Sequence, residues 1–331
     1  MKKRATALEV AKAAGVSKWT VIRAFTPGAS IAESSRQKVL AVAETMSYRP
    51  NLLARSLATS STQHVAVFVD DFTNPHKLEM LETLTAALQA EELVAVIVNI
   101  NEHFDHVHAL LNADQRQVDA IVLLGTSFRD ETLSDVRLGE SAPPLFVLAR
   151  DSQTSRISPI SCDSGHALAE ICTHLWARGY RRPAFMTGPR TLSTALGRRQ
   201  HFEAFWMERG IEAVPTLSAE RYSHRAGGDA ARAFLQASPS GLKIDLLMCE
   251  NDILACGAMD VLRSEFALRV PEDLAIVGFD DTAIAGFPTY DLTTYRQPIA
   301  AMVDALVDML AGRRASEPVS LPGELVLRSS A

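Results

Sequence analysis

Residues 6–25 read TALEVAKAAGVSKWTVIRAF, and this stretch predicts two short helices joined by a tight turn. Thr6 and Glu9 have capping-box spacing, in which each side chain accepts a hydrogen bond from the backbone N–H of the other residue. Gly15 ends the first helix, because glycine readily adopts the left-handed conformation that follows a helix. Ser17 can cap the second helix, so the stretch has the helix-turn-helix pattern.

The second and third helices complete a small predicted head. The second helix is expected from Lys18 to Phe25, and the third from about residue 33 to 47. Trp19 and Arg23 fall on the outer face of the second helix, near the part that enters the major groove in helix-turn-helix proteins. The alternative is an ordinary small helical bundle.

Charge separates this head from the rest of the chain. The 331 residues include 33 Lys and Arg against 39 Asp and Glu, so the formal charge is −6. Residues 1–62 contain ten Lys or Arg and three Glu, a net charge of +7, which leaves −13 on the other 269 residues. A basic head on an acidic body suggests a module that binds nucleic acid, and the alternative is a solvated basic terminus.

A short connecting segment follows the head. Pro50 ends the third helix and can begin a helix of about eight residues, which is too short to be stable alone. Residues 59–62 read TSST and form a polar linker, so we expect the domain boundary near residue 61.

From residue 65 onward, continuous apolar runs of strand length alternate with helical stretches. This alternation predicts an α/β fold with parallel sheets covered on both faces. The number of strands and a break near 158–163 predict two doubly wound lobes with a cleft, where ligands bind at the carboxyl ends of strands. The predicted strands are 65–69, 93–100, 120–124, 144–149, 184–187, 246–249 and 275–279. The predicted helices lie near 77–91, 105–116, 164–178, 195–209, 226–236 and 252–266.

Several functional classes are disfavoured by what the sequence lacks. It has no Gly-rich phosphate loop, no GxSxG and no HExxH motif, so we expect no catalytic residues, no cofactor and no metal. No apolar run reaches the length of a membrane span, and no apolar segment follows the basic N-terminus as in a secretory signal. The four cysteines lack CxxC spacing and are interpreted as reduced, half-buried thiols of a cytoplasmic protein.

Paired carboxylates end two of the predicted strands, Asp70-Asp71 and Asp280-Asp281. Such pairs can be catalytic, and they can also accept hydrogen bonds from sugar hydroxyls. Because no activated nucleophile accompanies them, binding is favoured over catalysis.

Residues 9–23 resemble the helix-turn-helix of the lactose-repressor (LacI/GalR) family of bacterial transcription regulators, and residues 48–57 resemble its hinge helix. Further matches follow in the family's order and cover nearly the whole chain. They are 174–182, Gly188-Pro189 with Arg198, 250–255, 270–281 and 292–298.

The resemblance implies a helix-turn-helix domain followed by a two-lobed ligand domain with the periplasmic-binding-protein fold. It also implies a homodimer, which suits a pseudo-palindromic operator in double-stranded DNA. The implied domains are 1–48 (helix-turn-helix), 49–61 (hinge helix and linker) and 62–331 (effector binding). The implied lobes are about 62–161 with 295–322, and about 162–294 with 323–331.

The implied function is a sequence-specific, cytoplasmic transcriptional repressor. A small effector between the lobes, a sugar or a sugar acid or phosphate, would control its operator affinity. A periplasmic sugar-binding protein is opposed by the basic head and the missing signal. A sugar-modifying enzyme is opposed by the missing nucleotide loop and the unactivated carboxylates.

The site residues are carried over from the family by position. The side chains of Lys18, Trp19 and Arg23 are expected to face the base edges of the DNA. Leu57 is expected to be inserted into the minor groove as an apolar wedge. An alternative for Arg198 and Asp280 is a structural ion pair across the cleft. The full DNA-binding set is Thr6, Ser17, Lys18, Trp19, Thr20, Arg23, Asn51, Arg55 and Leu57. The effector-binding set is Phe72, His76, Arg150, Thr194, Arg198, Tyr222, Asn251 and Asp280.

Four positions depart from the family's usual residues. Ile22 stands where Ser is usual, and Ala32 stands where a helix-capping Ser is usual. Ala149-Arg150 ends a strand where many sugar-responsive relatives have Asp, and His201 replaces a usual Gly. The Arg150 departure favours an acidic or phosphorylated sugar over a neutral one.

Overall fold

The computed structural model divides the chain into two compact units, Met1–Thr62 and Gln63–Ala331. Each unit has its own hydrophobic core. The residues that the structure describes are 5–26, 28–50, 61–100, 106–126, 142–152, 154, 157–189, 197–237 and 243–331.

The smaller unit contains three helices: α1 (Ala7–Ala14), α2 (Lys18–Ala24) and α3 (Glu33–Thr45). Local signals position them as predicted, because the Thr6–Glu9 capping box is complete and Gly15 has a φ of 64°. The helices bury one small apolar cluster, whose members are Val10, Ala11, Ala14, Val21, Ala24, Val39 and Ala43.

The larger unit is built on two parallel sheets. The first sheet consists of β1 (His64–Val69), β2 (Val94–Asn99), β3 (Ala120–Leu124), β4 (Leu145–Leu148), β5 (Ile157–Cys162) and β11 (Val319–Leu321). The remaining strands are β6 (Pro183–Thr187), β7 (Thr216–Ser218), β8 (Leu246–Cys249), β9 (Ala275–Val277), β10 (Thr294–Arg296) and β12 (Glu324–Val326). The strands of the first sheet lie in the order β11-β5-β4-β3-β1-β2, and those of the second in the order β7-β6-β8-β9. A short antiparallel pair joins β10 to β12.

Helices connect these strands in the way that parallel sheets require. They are α4 (Pro75–Ala90), α5 (His106–Gln115), α6 (Ser164–Ala177), α7 (Arg198–Met207), α8 (His224–Gln236), α9 (Asp252–Glu265) and α10 (Ile299–Leu310). A 3₁₀ turn spans Ala283–Gly286. Within the described ranges, no helix has the length and apolarity needed to cross a membrane.

The structure adds elements that the apolar runs did not indicate. Strand β5 occupies the expected break near 158–163, and helix α10 lies in a stretch for which no helix was predicted. The predicted final strand, 323–331, is shortened to β12, which pairs with β10. The four cysteines are free and fully buried, so the interpretation of half-buried thiols was wrong.

Candidate functional site

The outer face of α2 presents polar and aromatic side chains to solvent. Trp19 is 71% exposed, and Lys18 and Arg23 are also exposed. Trp19 therefore does not pack against α1. Val21 and Ala24, on the opposite face, are buried in the core of the small unit. The face combines two cations with a planar apolar ring, as a surface for base edges and phosphates requires.

Hydroxyl groups anchor the start of both helices of the helix-turn-helix. The Ser17 hydroxyl accepts a hydrogen bond from Thr20 N at 3.1 Å and lies 2.9 Å from the Thr20 hydroxyl. The Thr6 hydroxyl donates to Glu9 Oε2 at 3.0 Å and accepts from Glu9 N at 3.3 Å. Thr6 and Ser17 thus cap the two helices, and Thr20 is the residue whose N–H Ser17 caps. The contacts of all three with DNA remain predictions. The predicted DNA contacts Asn51, Arg55 and Leu57 lie outside the described residues.

In the larger unit, a cleft opens where strands of both parallel sheets end. Asn251 follows β8 and Asp280 follows β9, while Arg150 follows β4 of the other sheet. The residues that line the cleft are Asn74, His76, Lys77, Met80, Leu124, Gly125, Thr126, Leu148, Ala149, Arg150, Arg198, Tyr222, Asn251, Asp280 and Gln297.

Arg198, the first residue of α7, is a buried cation that lines this cleft. Its guanidinium carbon lies 3.7 Å from the centroid of the Phe279 ring, and its Nη1 donates to Glu250 O at 2.6 Å. Its Nη2 lies 3.8 Å from Asp280 Oδ1, so the two side chains form a long ion pair. Arg198 Nε has no hydrogen-bond partner among the described residues. The ion pair therefore leaves part of the guanidinium available to a ligand.

His76, Gln297 and Asp280 form a second buried group. Gln297 Nε2 donates to Asp280 Oδ1 at 2.7 Å and lies 3.0 Å from His76 Nε2. Burial lowers the pKa of His76; the carboxylate of Asp280 opposes this shift, while Arg198 and Lys77 add to it. Within the described chain, His76 Nδ1 and Gln297 Oε1 also lack hydrogen-bond partners. Such buried polar atoms are costly when unpaired, so the group suits a polar ligand.

Asp280 is held in an unusual backbone conformation. Its φ is 118°, in a region that favours glycine, and backbone strain of this kind clusters at functional sites. Behind it lies Asp252, which is fully buried and accepts hydrogen bonds from Thr282 and Thr294. Burial and the nearby carboxylate of Asp280 raise the pKa of Asp252. Asp252 thus supports the strand end that carries Asp280.

Lys77, which lines the cleft, forms a buried ion pair with Asp70. Lys77 Nζ contacts Asp70 Oδ1, and Asp70 Oδ2 accepts from Thr126 N at 2.7 Å. A Cβ on Gly125 would collide with the Asp70 carboxylate. Asp70 is therefore a structural anchor in this arrangement.

Tyr222 forms an aromatic wall close to the start of α8. Its hydroxyl donates to Glu250 Oε2 at 2.9 Å, and the same carboxylate oxygen accepts from Gly188 N at 2.6 Å. A Cβ on Gly188 would lie 2.8 Å from the Tyr222 hydroxyl oxygen, so glycine permits this close packing. Burial and the charge of Glu250 raise the pKa of Tyr222, which keeps the phenol protonated.

Six of the eight residues expected to bind an effector line the cleft, and two do not. Phe72 is 37% exposed and is not among the lining residues, and Thr194 lies outside the described residues. The six are His76, Arg150, Arg198, Tyr222, Asn251 and Asp280.

Sequence reasoning missed Gln297, Lys77 and Glu250 as parts of this site. Gln297 belongs to a Gln-Pro step that contributed only to the family resemblance. Lys77 begins the helix predicted near 77–91, where a lysine is normally solvated. Only the fold brings Gln297 and Lys77 to the cleft and Glu250 against Tyr222 and Arg198.

The site offers donors, acceptors and an aromatic ring. Among the described residues, no group of His, Cys, Asp and Glu side chains could hold a metal ion. The arrangement can bind a compact polyhydroxylated ligand through paired donors and acceptors, with the ring of Tyr222 as an apolar wall.

Two family profiles match the chain. The profile described as "Bacterial regulatory proteins, lacI family" matches residues 6–51, and the "Periplasmic binding protein-like domain" matches residues 172–331. The HTH-type transcriptional regulator AscG of Escherichia coli (strain K12) is 29% identical over 98% of this chain and 98% of its own length.

Solved structures show the same fold. The Lac repressor dimer bound to operator and the anti-inducer ONPF has a TM-score of 0.84 at 24% identity, over 99% of both chains. The complex of the transcriptional regulator CelR with cellobiose has a TM-score of 0.68 at 24% identity, over 99% of this chain and 100% of that one.

Proposed function

The chain belongs to the LacI family of bacterial regulatory proteins, and from that premise we propose that it represses transcription as an effector-controlled homodimer. It is a DNA-binding transcriptional regulator, not an enzyme. The proposed sites are the outer face of α2 for DNA and the cleft of the larger unit for a sugar-like effector. We place its action in the cytoplasm, where its operator lies.

The observation that carries this proposal is the set of unpaired polar atoms in the cleft. His76 Nδ1, Arg198 Nε and Gln297 Oε1 are buried without hydrogen-bond partners in the described part of the chain. A bound ligand with several hydroxyl groups can both donate and accept, so it can satisfy all three atoms. The cellobiose bound in the CelR complex is a ligand of this class.

The exposed face of α2 supports the DNA-binding part. Arg23 can pair bidentately with guanine, and Trp19 can contact a thymine methyl group. The Lac repressor structure, a dimer bound to its operator, supports the same assembly for this chain. Two copies would read two half-sites, so a pseudo-palindromic operator is expected.

The hinge residues extend the proposal to the centre of the operator. Leu57 would be inserted into the minor groove, and Asn51 and Arg55 would contact the DNA beside it. An inserted side chain unstacks a base step at a cost of a few kcal/mol, which the extra contacts of the bent DNA offset.

The DNA-binding part is tested by selection from random double-stranded DNA with the full chain. We expect enrichment of an inverted repeat with half-sites about one helical turn apart, or a multiple of that spacing. Enrichment of unrelated sequences, or none beyond that obtained with an Arg23→Ala variant, would contradict the proposal.

The effector part is tested with the selected DNA and a panel of sugars, sugar acids and sugar phosphates. One compound should change operator affinity of the wild type and raise its melting temperature, since a ligand that binds the folded state stabilises it. In an Asp280→Asn variant, the difference in operator affinity with and without that compound should disappear. An unchanged response would remove Asp280 from the site.

A further inference from the structure

The outer face of α2 carries two large apolar side chains that the fold does not bury. Trp19 is 71% exposed and Ile22 is 40% exposed. Within the described residues, neither belongs to the apolar cluster of the small unit, which Val21 and Ala24 join from the same helix. Single exposed apolar residues are ordinary on protein surfaces, so the position of these two relative to the charges around them decides what they can bind.

The exposed side chains of α2 lie in a fixed order around the helix. At about 100° per residue, that order is Lys18, Ile22, Trp19 and Arg23, and it covers about 140° of the helix surface. The two buried residues of the helix fall on the opposite side. The centre of the outer face is therefore apolar, and one cation stands on each side of it.

This order matches the chemistry of the major groove of double-stranded DNA. The two cations suit phosphates and the acceptor atoms of guanine, whereas an apolar side chain suits the C5 methyl group of thymine. An apolar side chain opposite the polar edge of another base leaves a donor or an acceptor of that base without water or a partner. An apolar centre flanked by cations therefore favours thymine by contact and disfavours the other bases by desolvation.

Ile22 presents its methyl groups in a set direction. As a β-branched residue it has one strongly preferred χ1 rotamer in a helix. Its carbonyl oxygen accepts hydrogen bonds from the Thr26 hydroxyl at 2.9 Å and from Phe25 N at 3.2 Å, which hold the end of α2. Trp19 lies three residues earlier, and side chains at this spacing have Cβ atoms about 5–6 Å apart. Since base pairs are stacked about 3.4 Å apart, the two side chains can face different base pairs.

From this arrangement we propose that Ile22 is a specificity-determining residue that reads the C5 methyl group of a thymine in each operator half-site. Trp19 faces a neighbouring base pair, and Lys18 and Arg23 contact the DNA on either side of this apolar pair. The inference rests on the proposed DNA-binding function, to which it adds one residue and the chemical group that this residue recognises. The alternative is that Ile22 lies against the sugar-phosphate backbone, where the identity of the base does not matter.

The test removes the methyl group from the DNA and the apolar side chain from the protein in turn. Each thymine of the selected operator is replaced by deoxyuridine, one position at a time and symmetrically in both half-sites. Deoxyuridine pairs with adenine as thymine does and lacks only the C5 methyl group. Affinities of the full-length proteins for each duplex are measured at one salt concentration, because phosphate contacts depend on salt.

Three variants are compared with the wild type. Ile22→Ala removes the apolar side chain, and alanine favours a helix, so this variant should fold. Ile22→Val keeps a β-branched apolar side chain and tests whether the effect depends on apolar contact. Leu40→Ala is the matched control, because Leu40 is 41% exposed on α3 in the same unit.

At one thymine position, the change to deoxyuridine should weaken binding of the wild type about tenfold, because burial of one methyl group is worth about three- to fourfold in each of two half-sites. For Ile22→Ala, the affinities for the same two duplexes should lie within about twofold of each other, as in a double-mutant cycle that removes both partners of one contact. Leu40→Ala should keep the wild-type ratio, and the ratio for Ile22→Val should stay closer to that of the wild type than to that of Ile22→Ala.

The same effect of deoxyuridine in the wild type and in Ile22→Ala at every position would overturn the proposal. A selected half-site without thymine would do so as well, and a uniform loss of affinity for all duplexes in Ile22→Ala would place Ile22 at the backbone. If selection enriches an inverted repeat that depends on Arg23 but no methyl effect depends on Ile22, this inference fails and the DNA-binding function stands. If selection enriches no operator, both fail.

Discussion

Gln297 and His76 lie 221 residues apart in the chain, and a hydrogen bond of 3.0 Å joins their Nε2 atoms. An amide nitrogen donates, so His76 Nε2 accepts and its proton resides on Nδ1. The same amide donates to Asp280 at 2.7 Å. Gln297 thus joins α4, which packs on the six-stranded sheet, to the strand end that carries Asp280, and this requires a neutral His76.

The neutral state of His76 predicts a loss of stability in acid. Burial lowers its pKa below the ordinary value of 6.5, so the unfolded chain binds a proton more readily than the folded chain. The free energy of unfolding should therefore fall as the pH drops through about 6.5 towards 5. Melting temperatures at pH 7.5 and 5.5 should differ less in His76→Gln than in the wild type.

The control for this experiment is His166→Gln, which removes an exposed histidine. His174 also has a pKa lowered by burial, so a residual acid sensitivity is expected in every variant. A change of about 1 kcal/mol in the free energy of unfolding shifts the melting temperature of a domain of 150–250 residues by about 2–4 °C. Equal acid sensitivity in the wild type and His76→Gln would contradict a buried neutral histidine.

Arg23→Ala should lose sequence discrimination but retain weak binding to DNA. A bidentate contact between arginine and guanine is worth about 1–3 kcal/mol against a wrong base, while phosphate contacts do not depend on sequence. Gel shifts with the selected operator and with an operator changed at one half-site base pair measure the difference. Arg225→Ala is the control on the larger unit. Discrimination as sharp as that of the wild type would exclude Arg23 from base contact.

Ala32→Ser should stabilise α3. Ala32 has an extended conformation at the start of α3 but provides no side-chain acceptor for the first turn. A serine there can accept a backbone N–H, which is worth about 1 kcal/mol. Hydrogen exchange followed by mass spectrometry measures this effect. Backbone amides of α3 that exchange through local opening should exchange about fivefold more slowly in Ala32→Ser than in the wild type. Ala32→Val has no acceptor and should show no such protection.

Gly257→Ala should destabilise the larger unit, because α8 and α9 pack backbone to backbone. A Cβ on Gly257 would collide with His224 O and lie 2.9 Å from Gly228 N. Overpacking of this kind costs about 1–3 kcal/mol. Denaturant unfolding should show a lower midpoint for Gly257→Ala, whereas Ser264→Ala on the exposed face of α9 should stay within about 0.5 kcal/mol of the wild type. A wild-type midpoint for Gly257→Ala would show that the helices can separate without cost.

Local signals in the sequence determined the small unit and the main strands. Thr6 accepts a hydrogen bond from the N–H of Glu9 three residues away, and Ser17 does the same for Thr20. Gly15 ends α1 by adopting a left-handed conformation. Each interaction spans at most a few residues, so spacing alone reveals it. The continuous apolar runs of β1 and β3 were equally readable, since both faces of a parallel sheet are buried.

Only the tertiary structure decided which distant polar groups meet. Strand β11 is three residues long and exists through its pairing with β5, far away in the chain. Lys77 would be solvated on an isolated helix, but here it is buried against Asp70. Arg150, Arg198 and Asp280 carry no common spacing, and they line one cleft because separate chain segments end beside one another. The spacing of apolar residues along the sequence determines which face of a helix or strand is apolar. The positions of strand ends relative to one another depend on the packing of the whole sheet.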